Sequence, residues 1–210
     1  MTATASPTFQ GDFEAHLTVR AVDADRLERY AAANGFKFVH IVLEHGRIVD
    51  QPMLTVATAG AFSAVRDSIG SLVARLHVAG FPVVRTKIEA TPWAVGVPAT
   101  DPEAVALGAG YYFEHHIKLL LAPDSDLRAL TALAVPHRAH LSVNARRKRT
   151  DGRSERFVTQ RCRLVGDITA AARYTGLLDA LRSAGHEILS TEREFVVHDS
   201  DESIDAGWIE

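Results

Sequence analysis

Two segments of this chain open with the same chemistry. Phe13-Glu14-Ala15-His16 begins one and Phe113-Glu114-His115-His116 begins the other. A Glu and a His two positions apart on an extended segment share one face. That arrangement suits chelation of a divalent metal or general acid–base work. His40 follows His16 by 24 residues, and His140 follows His116 by the same interval. A repeat this long is one supersecondary unit used twice, so polar types kept in both copies mark a shared surface.

Alternation assigns the remaining members of that surface. Ala15, Leu17 and Val19 form the apolar set of the first strand, which leaves Glu14, His16, Thr18 and Arg20 on its other face. On the fourth strand Arg85, Lys87 and Glu89 are the polar set. His40, Glu44 and Thr55 are expected beside them. In the second copy the polar set is Glu114, His116 and Lys118, then His140, Ser142 and Asn144, then Thr159, Arg161 and Arg163, then Glu192 and Glu194. Burying such groups between sheets costs several kcal/mol each unless they pair or bind something, about the penalty of an unsatisfied buried polar group. A ligand or catalytic site is therefore the leading reading. The alternative is a closed salt-bridge network that only holds two sheets together.

Three chemistries fit. In the first, Glu14, His16 and Glu89 in one copy, and Glu114, His116 and Glu194 in the other, hold a divalent metal. In the second, His16, His116 and His140, with Glu114, act as acid–base groups on an anionic small molecule, phosphorylated or carboxylated. Lys87, Lys118, Arg161 and Arg163 then neutralise it, and Thr18 and Ser142 hold its oxygens. The result in either case is a hydrolase. Here His16-Leu17-Thr18-Val19 and His140-Leu141-Ser142-Val143 resemble the two His-hydrophobic-Ser/Thr-hydrophobic motifs of the two-histidine phosphoesterases. The resemblance implies two related lobes, His16 and His140 as the acid–base pair, and Thr18 and Ser142 on phosphate oxygens. It spans two four-residue stretches, and it places one motif on a first strand and the other on a second. The third chemistry is binding without turnover. Arg146, Arg147, Lys148 and Arg149 sit at a hairpin tip and are suited to RNA or nucleotide phosphates. The plainer account is a solvated hairpin paired with the acidic tail, and the strands lack the exposed aromatics of RNA-binding sheets.

The elements that must position these groups read as strand, helix, strand, strand, helix, strand, twice. Residues 1–90 hold the first βαββαβ unit, 91–110 a Pro- and Gly-rich linker, 111–198 the second unit, and 199–210 an acidic tail. Asp23, Ser63, Asp124 or Ser125, and Asp167 are predicted helix caps; Gly35, Gly80 and Gly185 are predicted stops. A βαββαβ unit closes as a ferredoxin-like sandwich with strand order fourth, first, third, second. The expected fold is α+β, two tandem ferredoxin-like repeats with pseudo-twofold symmetry and open sheet faces packed toward each other. The alternative is one continuous sheet. Trp208 in the tail is expected to dock on the body.

Composition narrows the class. The chain has 210 residues, a net charge of −3 and one cysteine, which excludes a disulfide framework and a cysteine-rich zinc site. No apolar run approaches the roughly 18 residues of a membrane helix. No leader-like start is evident, so a cytoplasmic protein is expected. A homodimer is compatible with the polar faces. His115 and Cys162 alternate with apolar neighbours and read as core residues.

Overall fold

A computed structural model describes residues 7–147 and 149–209; Lys148 of the basic hairpin lies outside them. The first repeat contains β1 (Gln10–Val19), α1 (Ala24–Asn34), β2 (Lys37–Leu43), β3 (Asp50–Ala61), α2 (Phe62–Val78) and β4 (Val83–Ala90). A short helix, α3 (Asp101–Leu107), follows within the Pro- and Gly-rich segment. The second repeat contains β5 (Tyr112–Leu121), α4 (Leu127–Ala134), β6 (Ala139–Asn144), β7 (Ser154–Arg163), α5 (Asp167–Ser183) and β8 (Glu187–Asp199). Among the described residues no helix is long and apolar enough to cross a membrane.

All eight strands form one closed antiparallel barrel in the order β1-β3-β2-β6-β7-β5-β8-β4. Each repeat supplies four consecutive staves in the expected ferredoxin-like order. The repeats join edge to edge. Val42 pairs with Val143 at one seam, and Ile88 with His198 at the other. The open faces look at each other, but across a barrel lumen, because pairing the free edges satisfies backbone groups that stacked sheets would leave exposed.

The helices pack outside. Leu27, Val65, Ile69, Leu72 and Leu76 meet Leu17, Leu54 and Ile88 in the first core. Leu130, Leu177 and Leu181 meet Ile117, Leu119, Leu141 and Val158 in the second. Each fully buried leucine stabilises by about 2 kcal/mol through apolar burial. With the apolar sets committed to the helices, strand alternation turns the polar sets inward.

Several local expectations need adjustment. Asp126, not Asp124 or Ser125, caps α4 by accepting from the Arg128 and Ala129 N–H groups. α2 begins at Phe62, ahead of Ser63, so Ser63 lies inside the helix. Asp167 is the first residue of α5 and pairs with Arg193, while Gly166 holds the cap position. A Cβ at Gly166 would lie 2.4 Å from Thr100 backbone atoms, so only glycine lets the linker pack there. Asp23 stands at the start of α1 but spends its carboxylate on Arg20 and Arg26. Gly35, Gly80 and Gly185 follow their helices at positive φ, as predicted.

The tail straps one barrel end. A 3-10 turn (Glu202–Asp205) lies under the lumen, the Arg47 N–H donates to the Ala206 carbonyl, and the Trp208 indole N–H donates to the Leu141 carbonyl at 2.9 Å. Trp208 and Ile209 pack on Leu43. The tail acids therefore meet lumen arginines. The hairpin arginines are at the other end and pair with Asp25, Glu28, Asp151 and Glu155 instead.

His115 faces the helices as expected, fully buried, with Nδ1 2.9 Å from Gln160 Oε1. Burial pushes it down to about 4 from 6.5. The unfolded chain therefore takes up a proton below pH 6.5 that the folded chain refuses until about pH 4. Stability contributed by neutral His115 is complete above pH 6.5 and falls as pH drops through that window. Between pH 7 and pH 5 the loss should be about 2 kcal/mol. Urea unfolding of wild type and His115→Leu at both pH values checks this; the variant should lose that much less over the same interval.

Candidate functional site

The lumen holds a cavity of about 420 Å³. One wall is ionic and comes from β1, β4, β5 and β8. The opposite wall is apolar, with Val39, Ile41, Leu43, Met53, Phe157 and Trp208. The tail closes one end, and the cavity opens at the other, near Lys37, Lys118, Arg146 and Arg147.

Two histidines face each other's repeat in matching settings. His16 Nδ1 lies 3.2 Å from Thr55 Oγ1, and its Nε2 lies 2.8 Å from Glu89 Oε2. His116 Nδ1 lies 3.0 Å from Thr159 Oγ1. Its Nε2 lies 3.3 Å from Glu114 and 3.4 Å from Glu194. In both copies a threonine on the neighbouring strand fixes the ring, because His16 is directly paired with Thr55 and His116 with Thr159. A carboxylate from the fourth strand of the repeat, Glu89 or Glu194, then meets Nε2.

A buried ion network runs through this wall. Lys87 Nζ sits 2.8 Å from both Glu89 and Glu114, bridging the repeats. Arg161 donates to Glu114 at 2.9 Å and to Asp205 at 2.9 Å. Arg85 grips Asp199 through two nitrogens and also reaches Asp205, which accepts a further bond from Gln51. Tyr112 donates to Asp199, and Arg161 and Arg163 stack on its ring.

The charges follow from these contacts. Burial alone would push Glu114 up, but Lys87 and Arg161 outweigh it and hold the carboxyl well below its usual range. Burial would lower His116, yet Glu114 and Glu194 raise it to about 10. Its ring is therefore an imidazolium at neutral pH whose Nδ1–H donates to Thr159. Glu194 shifts the other way: burial first, and the neighbouring charge of Glu89, raise it. Lys87, Arg85 and Arg161 lose to burial but regain more from their carboxylates, and all are raised. Asp205 is lowered because Arg85 and Arg161 outweigh its burial.

The structure brings together most of the residues picked out by alternation. His16, Lys87, Glu89, Glu114, His116, Arg161 and Glu194 share the ionic wall, and Thr18 and Ser142 line the cavity. Glu14, Arg163, His140 and His40 separate from them. Glu14 turns to Lys37 at 3.2 Å, so it is not with the ligand set of His16 and Glu89. Arg163 reaches Glu202 and the Ala109 carbonyl at the strapped end. His140 lies on β6 near Trp208 and His45. β3 and β2 separate its strand from that of His16. Lys118 is near the mouth, over the Phe157 ring. His40 faces the helix side, 3.1 Å from Asp50, because Val39, Ile41 and Leu43 take the lumen face of β2. Asp205, Gln51 and Trp208 were not legible as site residues: the tail's path depends on barrel closure. Asp205 carried only one signal, an acid beside a docking tryptophan.

His/carboxylate ligand atoms converge twice among the described residues. His16, Glu89 and Glu194 offer atoms all within 4.8 Å of one another, and so do Glu89, Glu114 and His116. Both sets mix the two repeats, whereas the sequence suggested one set per repeat. Lys87 bridges two carboxylates of the second set, Glu89 and Glu114, and one of the first, Glu89. The first faces the cavity, with His16 and Glu194 side chains 18% and 16% exposed.

No family model matches the chain, and no curated protein matches it. Among solved structures, a chlorite dismutase variant from Candidatus Nitrospira defluvii is similar at 14% identity, covering 90% of this chain and 92% of that one, with a TM-score of 0.26. At that score the likeness carries no argument about chemistry, and the α+β barrel described above stands on its own strand pairing. The class defined is a single-chain barrel of two ferredoxin-like repeats with an ionic lumen.

Asp205 tests the strap. Asp205→Asn should cost about 3 kcal/mol in urea unfolding, because it removes the charge shared by two buried arginines. A Leu43→Ala control, which loosens the packing of Trp208 and Ile209 but removes no charge, should leave the Arg85–Asp199 pair in place.

Proposed function

We propose that the chain is an enzyme that holds one divalent cation on His16, Glu89 and Glu194 and hydrolyses a small organic molecule in the barrel lumen. The observation that carries this reading is the convergence of those three side chains, from the neighbouring strands β1, β4 and β8, with His16 and Glu194 lining an open cavity and Glu89 buried behind them. One imidazole and two carboxylates form a nitrogen–oxygen set suited to Zn²⁺ or Mn²⁺. Thr55 supports the set: its Oγ1, 3.2 Å from Nδ1, fixes the His16 ring with Nε2 turned to Glu89, where a bound ion would replace the proton between them.

A divalent ion held by His16, Glu89 and Glu194 would lower the pKa of water and so would supply a nucleophile at neutral pH. Glu114, Thr159 and Glu194 hold the His116 ring beside that position, where it orients the reacting group.

The test is metal uptake. EDTA-treated protein exposed to Zn²⁺ or Mn²⁺ and desalted should retain about one ion per chain by mass spectrometry, and its melting temperature should rise as a bound ligand requires. His16→Ala and Glu194→Gln should weaken uptake at least about 100-fold and Thr55→Val about 10-fold, the scale of losing a ligand or its orienting partner. Uptake no greater than the metal-free blank, or uptake unchanged in both ligand variants, would leave the ionic wall as a structural network.

A further inference from the structure

The site above has a second half whose chemistry names a substrate class, and this inference rests on the reading of the lumen as a reaction site. An ion and a water need no apolar wall. Yet Val39, Ile41, Met53 and Phe157 line the side of the cavity opposite the ionic wall. A cavity of about 420 Å³ lies within the roughly 300–1,000 Å³ of small-molecule sites. An apolar body laid along β2 and β7 would cover that wall.

The mouth supplies the other requirement. Lys118, Arg147 and Arg149 share one carboxylate, Glu155, at 3.7, 3.9 and 3.5 Å. Arg149 and Arg153 share Asp151, and Arg153 also reaches Glu187 at 3.6 Å. The other two cations of the mouth are spent elsewhere, Lys37 on Glu14 and Arg146 on Asp25 and Glu28. The contacts of Lys118 and Arg147 are too long for hydrogen bonds, so these two lining residues can turn to a ligand without breaking one. Lys118 also stands two residues along β5 from His116, roughly 7 Å by strand rise, toward the opening.

We infer that the barrel takes a small monocarboxylate with an apolar body: its carboxylate meets Lys118 and Arg147 at the mouth, its body lies on the Val39–Phe157 wall, and its far end reaches the ionic wall. Two cations that converge on Glu155 at the opening suit the two oxygens of one carboxylate. The interior cations do not compete for it, because Arg85, Lys87 and Arg161 are each held by two carboxylates.

The probes are 3-phenylpropionate, its amide, and 3-phenylpropylamine. Binding is read in EDTA-treated Trp93→Phe protein, where Trp208, which lines the cavity, is the remaining tryptophan and Trp93 is removed from an exposed site. The carboxylate should bind at least about 10-fold more tightly than the amide, and the amine more weakly than both, as a charge-assisted contact requires. Lys118→Gln should remove most of that preference. Arg147→Gln, at an exposed side chain, should reduce it with no change in melting temperature. Equal binding of carboxylate and amide, preference for the amine, or a preference untouched in both variants would overturn the assignment. Metal uptake is measured separately on the same variants. A carboxylate preference in EDTA with no retained metal would therefore sink the metal reading alone, and retained metal without the preference would sink this one alone.

Discussion

Closure of the barrel is the constraint on which the rest depends. Once β2 bonds β6 and β4 bonds β8, each sheet loses both free edges, and the face not covered by helices becomes a lumen. Every charged side chain on that face then sits where water is scarce. Such groups are tolerable only in balance, since an unpaired buried charge costs several kcal/mol where a paired one costs little. The ionic wall is the consequence. Lys87 ties Glu89 of one repeat to Glu114 of the other, so the network that neutralises the lumen also joins the halves.

The network is not symmetric, although the fold is. Thr55–His16–Glu89 and Thr159–His116–Glu194 are the same device, but Arg161 and Glu114 surround only the second. His116 is thereby held as a cation, while burial and the charge of Glu89 raise Glu194. Duplication supplied two matching histidines, and divergence of the residues around them gave them different electrostatic settings. The tail adds a third contribution that neither repeat contains. Asp205 lies between Arg85 and Arg161 and makes the strapped end a charged floor.

The apolar wall completes the division of labour. It arises because β2 turns Val39, Ile41 and Leu43 inward and His40 outward. That choice cannot be read from alternation, since His40 alternates with apolar residues on both sides and either face could hold the core. The phase is set by neighbours: β2 must align with β6 at Leu43 and Ser142 to close the barrel, and that register dictates which face of β2 looks in.

What the sequence by itself determined was periodic. Two βαββαβ units, helix stops at Gly35, Gly80 and Gly185, and an inward polar set on β1, β4, β5, β7 and β8 all follow from alternation and capping, which act over a few residues. His16, Glu89, Glu114, His116 and Glu194 were legible as candidates on that basis. Which of them meet was decided only by tertiary structure. Glu14 belongs to Lys37, Glu194 joins His16 and Glu89 across the repeat boundary, and Asp205 enters from the tail. Those contacts join residues up to 178 positions apart, as from His16 to Glu194. They exist because edge pairing, a long-range backbone interaction with no local signature, closes two sheets into one barrel.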